Sequence, residues 1–105
     1  MLTLPIKKKW YDMILSGAKK EEYRDITPYY QKRFQTIGLL NKEGSATFRT
    51  ADVVFRNGYA KESPEFKARV TLRKRGGRSE WGAVQGQKYY VLLIGEIYAP
   101  YGAKD

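Results

Sequence analysis

Residues Phe66–Lys74 read FKARVTLRK. Phe66, Ala68, Val70 and Leu72 alternate with Lys67, Arg69, Thr71 and Arg73. A period of two puts successive side chains on opposite faces of a strand, so this segment is a β-strand with one buried and one wet face. The wet face carries three cations and no acid along the strand. Alternate residues stand roughly 6.5–7 Å apart along a strand, so Lys67, Arg69 and Arg73 form a ladder matched in scale to a nucleotide backbone. The same pattern also suits an ordinary antiparallel sheet with one solvated face. Gly76-Gly77 then turns the chain among Arg73, Lys74, Arg75 and Arg78.

Working outward, Lys88–Ile97 (KYYVLLIGEI) is apolar on both faces, as in a central strand. The tail Ala99-Pro100-Tyr101-Gly102 is expected to end it. Upstream, Ala51–Arg56 reads as a strand stopped by the turn signal Asn57-Gly58. Thr36–Thr50 is read as a loop around a turn near Asn41–Gly44. Leu2–Ile6 is a short β-capable run. Ile6, Trp10, Met13 and Ile14 then fall on one helical face, and Ser16-Gly17 ends that helix with Gly17 in the left-handed conformation. Lys7, Lys8 and Lys9 occupy its first turn, where the helix dipole favours anions. They either receive a phosphate or stand in solvent. Glu21–Ile26 reads as a strand, and Thr27-Pro28 as the N-cap and first residue of a second helix whose apolar face holds Tyr30 and Phe34. Strands with two early helices make an α+β domain, a curled antiparallel sheet or barrel spanning residues 1–105.

Composition narrows the chemistry. The chain has 20 Lys and Arg against 11 acids, a net charge of +9, with 42% hydrophobic residues. Nine Tyr, four Phe and two Trp supply much of the core. A small basic, aromatic-rich domain points to a polyanion, most often nucleic acid. Cys and His are both absent. That excludes disulfides, thiolate chemistry, Cys- or His-bound metals and the Ser-His-Asp relay. No metal or cofactor is expected. Any catalysis falls to Lys, Glu, Asp, Tyr, Ser or Thr. No apolar run has the length of a membrane span and no signal-peptide core opens the chain, so a cytoplasmic protein is expected; a monomer is expected as well.

The residues that carry chemistry lie in SGAKKEEYR, Ser16–Arg24. Glu22 and Arg24 are two apart and share a strand face. Arg24 offers a planar fork for a phosphate or carboxylate. Glu22 can accept from an exocyclic amine or orient Lys19 and Arg24. Lys20 and Arg24 lower the pKa of Lys19 and Glu21 and Glu22 raise it, so its role as base or nucleophile stays open.

Gly17, Lys19, Glu22 and Arg24 spell G-x-K-x-x-E-x-R. This resembles the signature of the ASCH domain family, within the PUA-like superfamily, and the order helix, motif, strand DVVFRNG and closing strand YYVLLIGEI is similar over nearly the whole chain. The resemblance implies a small PUA-like β-barrel of about five or six mostly antiparallel strands. It also implies a cleft that binds RNA, a nucleotide or a nucleoside, with Lys19, Glu22 and Arg24 at its mouth. Arg75, Arg78 and the ladder of Lys67, Arg69 and Arg73 join the expected ligand contacts. So does Trp81 as a base-stacking ring, with Tyr23, Tyr59 and Tyr89 as further candidates. Some relatives are implicated as N4-acetylcytidine amidohydrolases and others as ribonucleases, which would make Lys19 and Glu22 catalytic. The amidohydrolase-like subgroup carries Thr where this chain has Lys20 and Glu22, and adds a later acid, for which Glu80 and Glu96 are the candidates. A carboxylate at position 22 cannot donate to an amide oxygen unless protonated, which favours binding over hydrolysis. A protein-interaction or phage-accessory module is the third alternative.

Overall fold

The computed structural model describes residues 1–98. The tail Ala99–Gly102, expected to end the last strand, lies outside the described residues. The chain is α+β: β1 (Thr3–Ile6), α1 (Lys8–Ser16), β2 (Glu21–Arg24), α2 (Pro28–Thr36), β3 (Thr50–Asn57), β4 (Glu65–Gly76) and β5 (Lys88–Ile97). The five strands form one curled half-barrel sheet in the order β1-β3-β4-β5-β2. Only the β1–β3 pair is parallel. The two edge strands, β1 and β2, do not pair through their backbones, so the sheet stops short of a closed barrel. Among the described residues, no helix is long and apolar enough to cross a membrane.

The alternation of β4 divides the molecule. Phe66, Ala68, Val70 and Leu72 are all buried. They meet Val53 and Phe55 of β3, Tyr90 and Leu92 of β5, Ile14 of α1 and Phe34 of α2 in the main core. Phe34 lies between two rings: it stacks on Tyr30 at 5.9 Å and meets Tyr90 edge-on at 5.4 Å. The loop after α2 turns at Asn41, whose Oδ1 accepts from the amides of Glu43 and Ser45. Sequence reading gave this loop no part in the core, yet Leu39 and Leu40 are buried there. Their amides both donate to the Phe34 carbonyl, which folds the loop back over the end of α2.

β5 is buried on both faces for a specific reason. Tyr90 and Leu92 face the main core. Tyr89 and Val91 face outward, where Ala83, Tyr23 and Leu93 cover them in a second, small cluster. The cover is the segment after β4, with a 3₁₀ turn at Ser79–Trp81. Tyr23 pins it, donating through its hydroxyl to Glu21 Oε1 at 2.7 Å and accepting from the Arg78 amide at 2.9 Å.

Gly77 lies against that ring. A Cβ there would stand 2.5 Å from Tyr23 Cε1 and 2.8 Å from Ala83 Cβ. The ring is held at its hydroxyl and cannot swing aside. Gly77→Ala is therefore expected to destabilise the fold by about 1–3 kcal/mol, the usual cost of overpacking. At Gly76 the nearest atom is an ordinary 3.7 Å away. Gly76→Ala should stay within about 0.5 kcal/mol of wild type. Urea denaturation of the two variants checks both values.

Candidate functional site

The site begins where α1 stops. Gly17 adopts φ 85° and its amide donates to the Ile14 carbonyl. The Lys19 amide then donates to the Met13 carbonyl at 3.0 Å, which ties the chain back against the helix. This reversal turns the Lys19 side chain inward, to 2% exposure. Its ammonium lies 2.9 Å from Glu22 Oε1, 2.8 Å from the Trp81 carbonyl and 3.9 Å from the centre of the Trp10 ring. A carboxylate, a carbonyl and an aromatic face replace the water it loses. The Lys19 pKa lies below its ordinary value of 10.5, chiefly because burial disfavours the charged form; Glu22 opposes that shift without cancelling it.

Glu22 and Arg24 share a strand face, as their spacing requires. That face is the core face: Glu22 sits opposite Leu92 and Arg24 opposite Tyr90. Glu22 Oε2 accepts from Arg24 Nη2 at 3.1 Å while Oε1 faces Lys19. Arg24 Nη2 also donates to the Pro5 carbonyl at 2.8 Å, and Nη1 donates to the Tyr30 hydroxyl at 3.1 Å. Arg24 Nε is the one buried side-chain polar atom without a partner among the described residues. Through the Pro5 contact, a β2 side chain bridges to the β1 backbone where the strands themselves fail to pair.

The space between those two edges is a cleft of about 480 Å³. Pro5, Ile6, Lys7 and Trp10 line one side, Glu22, Tyr23 and Arg24 another, and Gly58 and Tyr59 the rim. Tyr59 is 87% exposed. It follows the Asn57-Gly58 turn, whose Gly58 amide donates to the Ile6 carbonyl. Of the three lysines at the start of α1, Lys7 lines the cleft. Lys8 pairs with Asp12 and Lys9 lies over the ring of Trp10.

Several expected site residues stand elsewhere. Lys19 is not at the cleft mouth but behind its wall, beneath Trp10. Lys67, Arg69 and Arg73 belong to the opposite face of the sheet. Leu72 sits opposite Leu92, which sits opposite Glu22, whereas Arg73 sits opposite Val91, which sits opposite Tyr23. Directly opposed residues share a face, so no small ligand in the cleft touches the ladder. The ladder face is also not free of acid, because neighbouring strands supply it. Asp52 of β3 pairs with Arg69, and Glu21 of β2 pairs with Arg75 on the same outer side. Arg78 is bound to Glu80, and its guanidinium lies 4.8 Å from the Trp81 ring centre. Trp81 thus reaches the site through its carbonyl and not through its ring. Neither later acid joins the site. Glu80 is exposed, held below the usual carboxylate range by Arg78, and Glu96 is exposed on β5. Tyr89 is packed in the outer cluster; Tyr23 packs against that cluster and also contributes to the cleft lining.

Trp10 and the Pro5 carbonyl were not legible as site groups. Trp10 carries a helical-face signal that equally describes core packing. A backbone carbonyl leaves no mark in a sequence. A Cβ on Gly82 would approach Trp10 Cζ2 to 3.0 Å, and Gly82 has φ 101°, so glycine fits here on both counts. Among the described residues, no group of three or more acid side chains is arranged to hold a metal. No protein-family model, curated protein or solved structure matches this chain.

Removing one member of a buried ion pair leaves an uncompensated charge. Glu22→Gln is expected to cost about 3–5 kcal/mol, since Lys19 and Arg24 would then face each other without an anion. Arg75→Met removes a pair that is half-exposed on the arginine side and should cost at most about 1 kcal/mol. Chemical denaturation distinguishes the two. Lys19 binds its proton more weakly folded than unfolded. Its contribution to stability therefore rises with pH from its folded pKa up to 10.5. An NMR titration of its Nζ should give a midpoint below 10.5.

Proposed function

We propose that this chain is an ASCH-type, PUA-like domain that holds a nucleotide, or an unpaired nucleotide of an RNA, in the cleft between β1 and β2. The observation that carries this reading is the Lys19–Glu22–Arg24 chain, which ends at the cleft wall. Two cations and one carboxylate are buried together there. Buried ion pairs seldom stabilise a fold relative to apolar packing. Their use here is a fixed pattern of an acceptor, Glu22, beside a donor fork, Arg24, on the floor of an open cleft.

The rest of the cleft suits such a ligand. A nucleobase displays donors and acceptors along one edge and two apolar faces. Glu22 and Arg24 answer the edge. Trp10 on the wall and Tyr59 on the rim answer the faces. Lys7 and the unpaired amides at the start of α1 answer a phosphate. Ligands that fit a cleft of this kind are small, and the volume of about 480 Å³ lies within the ordinary range for such sites.

Hydrolysis fits less well. It asks Lys19 to act as base or nucleophile, yet Lys19 is 2% exposed and lines no part of the cleft. Its depressed pKa helps, but its ammonium is already engaged by Glu22 and the Trp81 carbonyl. Glu22 offers a carboxylate where the hydrolytic reading wants a hydroxyl donor.

The test uses ribonucleoside monophosphates followed by NMR and tryptophan fluorescence. Ligand should shift the amides of Lys7, Gly58 and Tyr59. It should also quench emission in Trp81→Phe but not in Trp10→Phe. Tyr59→Ala should leave stability within about 0.5 kcal/mol, because the ring is so exposed. It should weaken binding by about fivefold or more, the loss of one stacking partner. No shift at these amides up to millimolar ligand would sink the reading.

A further inference from the structure

Phe48 is the one non-glycine residue with positive φ among the described residues, at 62°. For a bulky side chain this backbone is a genuine outlier. Such strain persists where the surroundings enforce it, and it gathers at functional positions. The enforcement is visible. Thr47 donates through its amide to the Leu39 carbonyl and through its hydroxyl to the Gly38 carbonyl at 2.7 Å. The Arg49 amide donates back to the Thr47 hydroxyl. The backbone on both sides of Phe48 is therefore tied down. The ring itself is 64% exposed, so core packing does not compensate for the strained backbone.

What the ring meets is Arg73, whose guanidinium carbon lies 4.5 Å from its centre. Arg73 donates to the Leu72 carbonyl and has no acidic partner among the described residues. The far end of the same strand face repeats the arrangement. Lys67 Nζ lies 5.1 Å and the Arg69 guanidinium 5.9 Å from the centre of the Tyr98 ring. The Tyr98 amide donates to the Lys67 carbonyl at 2.8 Å, which fixes that ring beside β4. From Lys67 to Arg73 the strand runs about 20 Å. The face thus has an aromatic ring at each end, a cation against each ring, and Asp52 already neutralising Arg69 between them.

From this arrangement we infer that the outer face of β4 is a second binding surface, for single-stranded nucleic acid. Phe48 and Tyr98 are its stacking platforms, and Lys67 and Arg73 are its phosphate contacts. It lies across the sheet from the cleft and stands whether or not the cleft binds a nucleotide. An acidic protein would also find the cations, but it has no need of an exposed ring held in a strained backbone. Flat bases do, because stacking on an aromatic face is tolerant of sequence. With Lys67 and Arg73 engaged, log K should fall with log salt at a slope of about −1.4, twice the value of about −0.7 per phosphate for single strands.

The experiment follows fluorescence anisotropy of a labelled oligouridylate of about eight nucleotides, between about 50 and 200 mM salt. Phe48→Asn keeps a residue that tolerates the left-handed backbone, so the thermal midpoint should be unchanged or raised. Affinity should fall about 5- to 150-fold, equivalent to ~1–3 kcal/mol for one stacked base. Arg73→Gln should make the salt slope shallower by about 0.7. Made in a Tyr59→Ala background, in which the cleft has lost its rim ring, Phe48→Asn should cause the same fold-loss of oligonucleotide affinity as in the wild type. Three results overturn the inference: no wild-type binding at the lower salt, disappearance of the Phe48→Asn loss in the Tyr59→Ala background, or loss in Arg73→Gln with none in Phe48→Asn. The last would mean a contact of charge alone.

Discussion

The Glu22 carboxylate lies between the Lys19 ammonium and the Arg24 guanidinium, and the architecture around the cleft depends on that contact. Arg24, oriented by Glu22, reaches the Pro5 carbonyl and links β2 to β1. These are the two edges of the sheet, which share no backbone ladder. A side chain therefore does at this gap what strand pairing does in a closed barrel. Because it bridges at a point, it leaves room beside it, and that room is the cleft. Lys19 extends the same network to the segment after β4 through the Trp81 carbonyl. Three separate parts of the chain are thus tied to one carboxylate.

The parity of β4 and β5 separates the chemistry into two places. Phe66, Ala68, Val70 and Leu72 of β4 build the core, and Glu22 and Arg24 join the same side through Leu92 and Tyr90. The odd-numbered cations Lys67, Arg69, Arg73 and Arg75 face outward. On that side the tyrosine cluster and its covering segment bury Tyr89 and Val91 of β5. The net charge of +9 is therefore not one basic surface aimed at one site. Part is consumed in pairs with Asp52, Glu21, Glu65 and Glu80. Part is buried in the cleft floor, and the remainder is distributed around the molecule.

Much of the fold was legible because it rests on local rules. The alternation Phe66–Leu72, the left-handed Gly17 stop, the Thr27-Pro28 helix start and the Asn57-Gly58 turn each follow from the chemistry of a few neighbouring residues. β2 ended two residues early, at Arg24 and not Ile26, because Asp25 and Ile26 lead into the N-cap Thr27. The burial of Leu39 and Leu40 was hidden because irregular segments carry no periodicity to read.

The site was legible in part, for the same physical reason. Spacing alone set Glu22 and Arg24 on one face, and the absence of His and Cys left any catalysis to Lys, Glu, Asp, Tyr, Ser or Thr. Sequence could not say which face that was, since a strand's parity is defined only relative to the strands it pairs with. Nor could it show that the ladder of Lys67, Arg69 and Arg73 lies across the sheet, that Asp52 answers Arg69, or that Lys19 meets a tryptophan ring and a carbonyl 62 residues away. The sequence by itself determined the elements and the residue types able to do chemistry, because those depend on neighbours along the chain. The tertiary structure decided which charges are buried, which are paired and which share a cleft, because burial and pairing depend on neighbours in space.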